Sequence, residues 1–152
     1  NTTMDHENSL IRSASFDQIR NLSKALKLFQ EQATKPCGIT FTQFVILDFV
    51  CQKSPLYLKD LHQQLGVKKS TTSRLIKPLI DKNYLAKKAN SLDKRVFELY
   101  LTEAGEELYR AAWNSFSEAI DRFFSAVPVS EQLRIAGSMQ VISEAFFSSC
   151  RR

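Results

Sequence analysis

Four glycines and four prolines in 152 residues leave few places where the chain can turn sharply, so its loops must be short and few. A mostly helical protein follows. Cysteine is scarce too: Cys37, Cys51 and Cys150 are odd in number, widely spaced and without a CxxC pair, which excludes a disulfide framework and a zinc site of the usual spacing. Histidine is limited to His6 and His62, and the chain offers no nucleophile beside a base, paired carboxylates, glycine-rich phosphate loop or metal-ligand spacing. Neither catalysis nor a cofactor is expected. No apolar run approaches the roughly 18 residues of a spanning helix, and residues 1–9 lack the apolar core and cleavage pattern of a signal peptide. A cytoplasmic protein without membrane contact is the expectation.

What is present has the balance of a globular domain, 43% hydrophobic and 24% charged, with 21 Lys and Arg against 16 Asp and Glu. The apolar positions set the order of elements. Ile11, Ala14, Ile19, Leu22, Leu26, Phe29 and Ala33 recur at helical spacing over residues 10–33, and Lys35-Pro36-Cys37-Gly38 stops that helix. Thr40-Phe41-Thr42-Gln43 matches a capping box, opening a helix to about Cys51 that is apolar almost all round and so belongs in the core. Cys51, near its end, is expected to be an inert core thiol. After Ser54-Pro55 comes a short helix with Leu58, Leu61 and Leu65 on one face, closed by Gly66; His62 on it is expected at the surface or in a turn. Ser70 is expected to cap a helix over 71–83, which Pro78 should kink near Arg74 by removing a bond to that residue's carbonyl.

The period then switches to that of strands. Residues 84–89 and 95–101 read as a hairpin around Asn90-Ser91-Leu92-Asp93-Lys94. Thr102 caps a helix to about Ala126, with Glu103, Glu106 and Glu107 complementing its dipole; Pro128 breaks it, and Ser130 is expected to cap a last helix with Leu133, Ala136, Met139 and Phe146 on its apolar face.

Helix, turn, helix and hairpin in that order describe a winged helix-turn-helix, a DNA-reading unit. The charge distribution agrees. Residues 67–95 hold nine cations against Asp81 and Asp93, a net +7, while the other 123 residues sum to −2. Clustered cations are what counterion release from phosphates requires. Ser70, Thr71 and Thr72 with the first-turn amides suit phosphate, Arg74 suits guanine, and Lys68, Lys69, Lys77 and Lys94 add backbone contacts. The fold class is therefore mainly α with a small β wing: a winged helix-turn-helix core over residues 40–102, flanked by long helices over 10–35 and 103–149, in a single domain spanning 1–152.

Asp93-x-Arg95, five residues, then Leu101-Thr102-x-x-Gly105 resembles the wing tip and helix entry of the MarR regulators of bacteria and archaea. Asp60-Leu61, Leu65-Gly66-Val67, Ser70-Thr71-Thr72-Ser73-Arg74-Leu75, Leu79 and Asn83-Tyr84-Leu85 fall where that family has its helix-turn-helix. The resemblance covers about residues 10–149, with its specific motifs in 56–105. Tyr57 departs from the small hydroxyl or acidic cap usual there, and Pro78 interrupts the usual spacing of base contacts. It implies a homodimer in which the first and last two helices interleave, with Arg95 entering the minor groove and Asp93 orienting it. Phe116, Ile120, Phe123, Phe124, Phe146 and Phe147 also ask for a shared apolar interface or an unusually large one within the chain, of which the resemblance favours the shared one.

Double-stranded DNA, in the form of a pseudo-palindromic operator, is thus the expected partner, and transcriptional repression the expected outcome. The resemblance implies two kinds of release. A small apolar or phenolic effector would be lined by Leu22, Leu26, Phe29, Phe44 and Leu47. Alternatively, oxidation would act at Cys37 or Cys150, both expected to be exposed and partly thiolate. The competing reading is a winged-helix interaction module or regulatory fragment of a longer protein, without repressor activity of its own.

Overall fold

The computed structural model describes residues 2–151, which form six helices and a three-stranded sheet. Helix α1 (Thr2–Thr34) takes in the polar opening as well as the amphipathic stretch, with Asp5 in its first turn. It ends in a 3-10 turn (Lys35–Cys37) and at Gly38, whose φ of 68° frees its N–H to reach the Lys35 carbonyl. The capping box then forms as the sequence predicts. Thr40 Oγ1 accepts from the Gln43 amide, and Gln43 Oε1 accepts from the Thr40 amide, both at 3.1 Å, starting α2 (Phe41–Gln52).

Strand β1 (Leu56–Tyr57) leads directly into α3 (Leu58–Leu65), which Gly66 closes at φ 65°. Helix α4 (Lys69–Asp81) follows and runs unbroken through Pro78. Asn83, at φ 63°, then reverses the chain into β2 (Leu85–Ala89) and β3 (Phe97–Leu101). The sheet order is β1-β3-β2, all antiparallel, with Leu56 opposite Leu99 and Leu85 opposite Leu101. Strand β1 is the one element that periodicity does not reveal; two residues are too few to alternate.

Each element gives an apolar side chain to one centre. Ile46, Leu47 and Val50 of α2 meet Leu56, Leu61, Ile76, Leu79, Leu85 and Leu99, none more than 2% exposed. Each such side chain contributes about 1.5–3 kcal/mol of burial, so the winged helix is held from within.

Helix α5 (Glu103–Ser125) begins in a first compact unit, Asn1–Phe116, and ends in a second, Ser117–Arg152. In the first unit its Tyr109 hydroxyl donates to Asp48 Oδ1 at 2.6 Å and its Ser115 hydroxyl donates to the Ala33 carbonyl at 2.6 Å. Burial, reinforced by the bond to Asp48, pushes the Tyr109 phenol up to about 12, so this link to α2 keeps its proton. Phe116 belongs here as well, its ring 5.8–6.1 Å from those of Phe29, Phe41, Phe44 and Trp113. It packs within its own chain, whereas the sequence suggests a shared interface for it.

In the second unit, α6 (Val129–Cys150) starts after Pro128, without the side-chain cap expected of Ser130. Gln132 Nε2 instead donates to the carbonyls of Phe124 (3.0 Å) and Val127 (3.2 Å), tying the new helix to the end of α5. Among the described residues, no helix is long and apolar enough to cross a membrane.

Candidate nucleic-acid interface

The recognition helix begins two residues earlier than its sequence suggests. Lys68, extended at φ −67° and ψ 153°, takes the cap position, and its carbonyl receives the amides of Thr71 (3.0 Å) and Thr72 (3.1 Å). Ser70 therefore lies inside the first turn and caps nothing. Its hydroxyl stands exposed beside Lys68, Lys69, Ser73 and Arg74, with Thr71 half-buried. Thr72 is a correction to the expected contact set: it is fully enclosed, and its hydroxyl turns back to the Lys68 carbonyl at 3.5 Å. Helical spacing explains this, because Thr72 shares its face with Ile76 and Leu79, which bury in the core.

Lys77, expected on a phosphate, pairs with Asp81 at 2.8 Å. Both side chains are largely exposed, so the pair contributes little and yields readily to a stronger anion. Lys69, Ser70, Ser73 and Arg74 are exposed on the first turns of this helix, where first-turn amides favour negative charge.

The wing tip is built by two short side chains. Asn90 Oδ1 accepts the amides of Leu92 (2.8 Å) and Asp93 (3.2 Å), while its Nδ2 donates to Glu98 Oε1 at 2.6 Å. Asp93 Oδ1 then accepts the Arg95 amide at 3.0 Å and the Arg95 Nε at 3.4 Å. The carboxylate thus holds Arg95 at both backbone and side chain while the guanidinium stays 93% exposed. A planar, fully charged fork presented in this way suits a narrow, electronegative groove. Lys94 is exposed next to it. Along the strands, Lys87 lies 4.2 Å over the Phe97 ring and Lys88 lies 5.3 Å over the Tyr100 ring.

A joint behind the wing sets where helix and hairpin stand. The Thr102 hydroxyl donates to the Asn83 carbonyl at 2.5 Å and accepts the Gly105 amide at 3.0 Å, while the Thr102 amide donates to the Tyr84 carbonyl at 3.1 Å. A Cβ at residue 105 would lie 2.0 Å from that Tyr84 oxygen. This explains Leu101-Thr102-x-x-Gly105: the hydroxyl at residue 102 supplies the cap and the tether together, and only glycine, without a Cβ, lets the Tyr84 carbonyl come this close to residue 105.

The structure places the other candidate residues apart from this face. Leu47 and Phe44 are buried in the interior, Phe29 meets Phe116 edge-on, and Leu22 and Leu26 stand about half exposed on α1. Cys37 is half-buried, and burial pushes its thiol up, against the expected thiolate; Cys150 is exposed. Cys51 is exposed too, not an inert core thiol, because its position near the end of α2 turns away from the core that Val50 enters. His62 is half-buried rather than at the surface.

The sequence pattern of the SarA/Rot transcriptional regulators matches residues 27–111, more than half of the chain. The chain belongs to the SarA/Rot family. A relative is the HTH-type transcriptional regulator BilQ of Clostridioides difficile, 28% identical over 141 residues, which are 93% of this chain and 95% of that protein. Among solved structures, a MarR transcriptional regulator from Methanosarcina mazei Go1 superposes with a TM-score of 0.73 at 24% identity, covering 90% of this chain and 98% of that one. Reduced AbfR bound to DNA superposes with a TM-score of 0.68 at 20% identity, covering 94% and 99%. The fold is the MarR winged helix, and this SarA/Rot member is a DNA-binding transcriptional regulator, not an enzyme.

Proposed function

We propose that two copies of this chain form a homodimer that sets its two α4 helices into successive major grooves of a pseudo-palindromic operator and represses transcription by blocking polymerase. The observation that carries this reading is the exposed group Lys68, Lys69, Ser70 and Arg74 at the start of α4, with Thr71 half-buried among them, together with the exposed, Asp93-held Arg95 of the wing. Lys68, Lys69 and Lys77 take phosphates, Arg74 takes a guanine edge, and Lys94 and Arg95 take the minor groove and its rim. Dimerisation is supported by the apolar side chains that α1 and α6 leave in water, Phe16 at 65%, Leu133 at 90% and Phe147 at 68% exposure among them.

Release by a small apolar or phenolic effector is supported by the aromatic group of Phe29, Phe41, Phe44, Tyr109, Trp113 and Phe116, where α1, α2 and α5 meet. Trp113, the single tryptophan and half exposed, reports such a ligand by its fluorescence. Release by oxidation is the second reading, favoured by the exposure of Cys51 and Cys150 and by the capture of AbfR on DNA in its reduced form.

Anisotropy titration of a labelled duplex from the chain's own upstream region tests the interface. Arg95→Ala is expected to weaken binding by about 1–3 kcal/mol, and Lys69→Ala to weaken it on every sequence while lowering the salt slope by about one. Equal salt slopes for wild type and Lys69→Ala would remove Lys69 from the phosphate contacts. Binding that is neither salt-sensitive nor sequence-selective would leave the interaction-module reading in its place.

A further inference from the structure

Beside the recognition helix a cleft of about 390 Å³ opens between β1, α3, the start of α4 and the base of the wing. Three cations from separate elements line it: Lys59 of α3, Lys69 of α4 and Arg95 of the wing. Asp60 is the one carboxylate on its walls, and Lys53 already engages it at 3.5 Å. Tyr57 from β1 and Phe97 from β3 supply aromatic walls. His62 lines the same cleft, and its Nδ1 is enclosed without a hydrogen-bond partner.

An imidazole in this position is held neutral. Burial first, then the charge of Lys69, keep its pKa below the ordinary 6.5. An oxyanion entering the cleft opposes the second cause and compensates the first. It neutralises Lys69 and Arg95 as His62 sees them, and it accepts a hydrogen bond from the protonated ring. Three exposed cations along the cleft, with Asp60 engaged by Lys53 and Arg95 held by Asp93, around a ring able to gain a proton, are the chemistry of a phosphodiester seat.

We propose that this cleft seats a backbone phosphate of the bound DNA and that seating it places a proton on His62. The inference rests on the interface proposed above and adds a binding group and a regulation to it. The charged and titratable groups that line the cleft with His62 are Lys59 and Asp60 on its own helix, Lys69 on α4, Tyr57 on β1 and Arg95 on the wing, and Lys69 bears on the charge of the ring. Arg95 thus has a second task, closing the cleft from the wing side as its guanidinium reaches toward DNA.

The sign follows from proton linkage. The free chain holds His62 neutral until the pH falls below 6.5, whereas the complex holds it charged to a higher pH, so complex formation takes up a proton. Affinity therefore rises as pH falls, by up to about tenfold per pH unit for each chain, and levels off once the free chain is itself protonated.

Two measurements test this. The first is anisotropy titration of the labelled upstream duplex from about pH 8 down to about pH 6 at constant salt, the range in which histidine titrates. Wild type is expected to tighten as pH falls, His6→Gln on α1 to tighten equally, and His62→Gln to lose that dependence. The second follows the His62 ring signal of the wild-type chain by NMR, free, with the duplex and with inorganic phosphate alone. The duplex is expected to raise the pKa of His62, and inorganic phosphate to leave it close to the free value.

Equal pH dependence in wild type and His62→Gln, or an unmoved His62 signal on the duplex, would overturn the proposal. Inorganic phosphate raising the pKa as far as the duplex does would overturn the DNA assignment in favour of a free-anion site. Absence of salt-sensitive binding throughout this pH range would instead overturn the interface reading itself.

Discussion

The winged-helix core and helix α6 draw on similar apolar residues and dispose of them in opposite ways. In the core, nine side chains from α2, α3, α4 and the sheet are at most 2% exposed. In α6 no residue is buried, and Val129, Leu133, Val141 and Phe147 are each 65% exposed or more. Hydrophobic content alone does not make an interior; it needs facing surfaces, and the core finds them within one chain. The winged-helix core thus closes within one chain, whereas α6 leaves its apolar side chains in water.

Substitutions that separate these two regimes differ in size. Leu99→Ala removes a side chain enclosed at the centre strand and is expected to lower stability by about 2–5 kcal/mol in urea unfolding; a loss under about 1 kcal/mol would mean that the core relaxes around the gap. Gly105→Ala introduces the Cβ that meets the Tyr84 carbonyl and is expected to cost about 3 kcal/mol, with operator affinity falling beyond what unfolding explains because the reader is displaced. Leu133→Glu marks the other end. It is expected to change the stability of the single chain by less than about 0.5 kcal/mol, yet to convert a dimer into a monomer in sedimentation. A dimer that survives Leu133→Glu would move the interface away from this face of α6.

Features set by neighbours in sequence were legible in advance, and those set by distant partners were not. Thr40 and Gln43 are three residues apart, so their reciprocal bonds are written in the local pattern. The stop at Gly66 and the tether of Arg95 to Asp93 are equally local. By contrast, β1 exists only because Leu56 finds Leu99, and the Tyr109 bond to Asp48 spans 61 residues. The cap of α4 shows a subtler limit: hydroxyl preference pointed to Ser70, but the burial of Thr72, Ile76 and Leu79 fixes the helix start at Lys69. Asn90 was readable as a turn former, although its grip on Glu98 across the hairpin was not. His62 escaped notice as a contact because a lone histidine between Leu61 and Gln63 carries no pattern; only the cleft gives it meaning.

The joint at Thr102 and Gly105 also says how such a reader can change. The hydrogen bonds that tie the end of α4 and the hairpin to the start of α5 lie in two short stretches, residues 83–84 and 102–105, and none of the exposed contact side chains takes part in them. New operator preferences can be explored by exchanging the wing loop, residues 91–95, or the outward positions of α4, while Leu85 and Leu99 keep their places in the core, and a chimera cut inside either short stretch would be expected to lose its aim before it lost its fold.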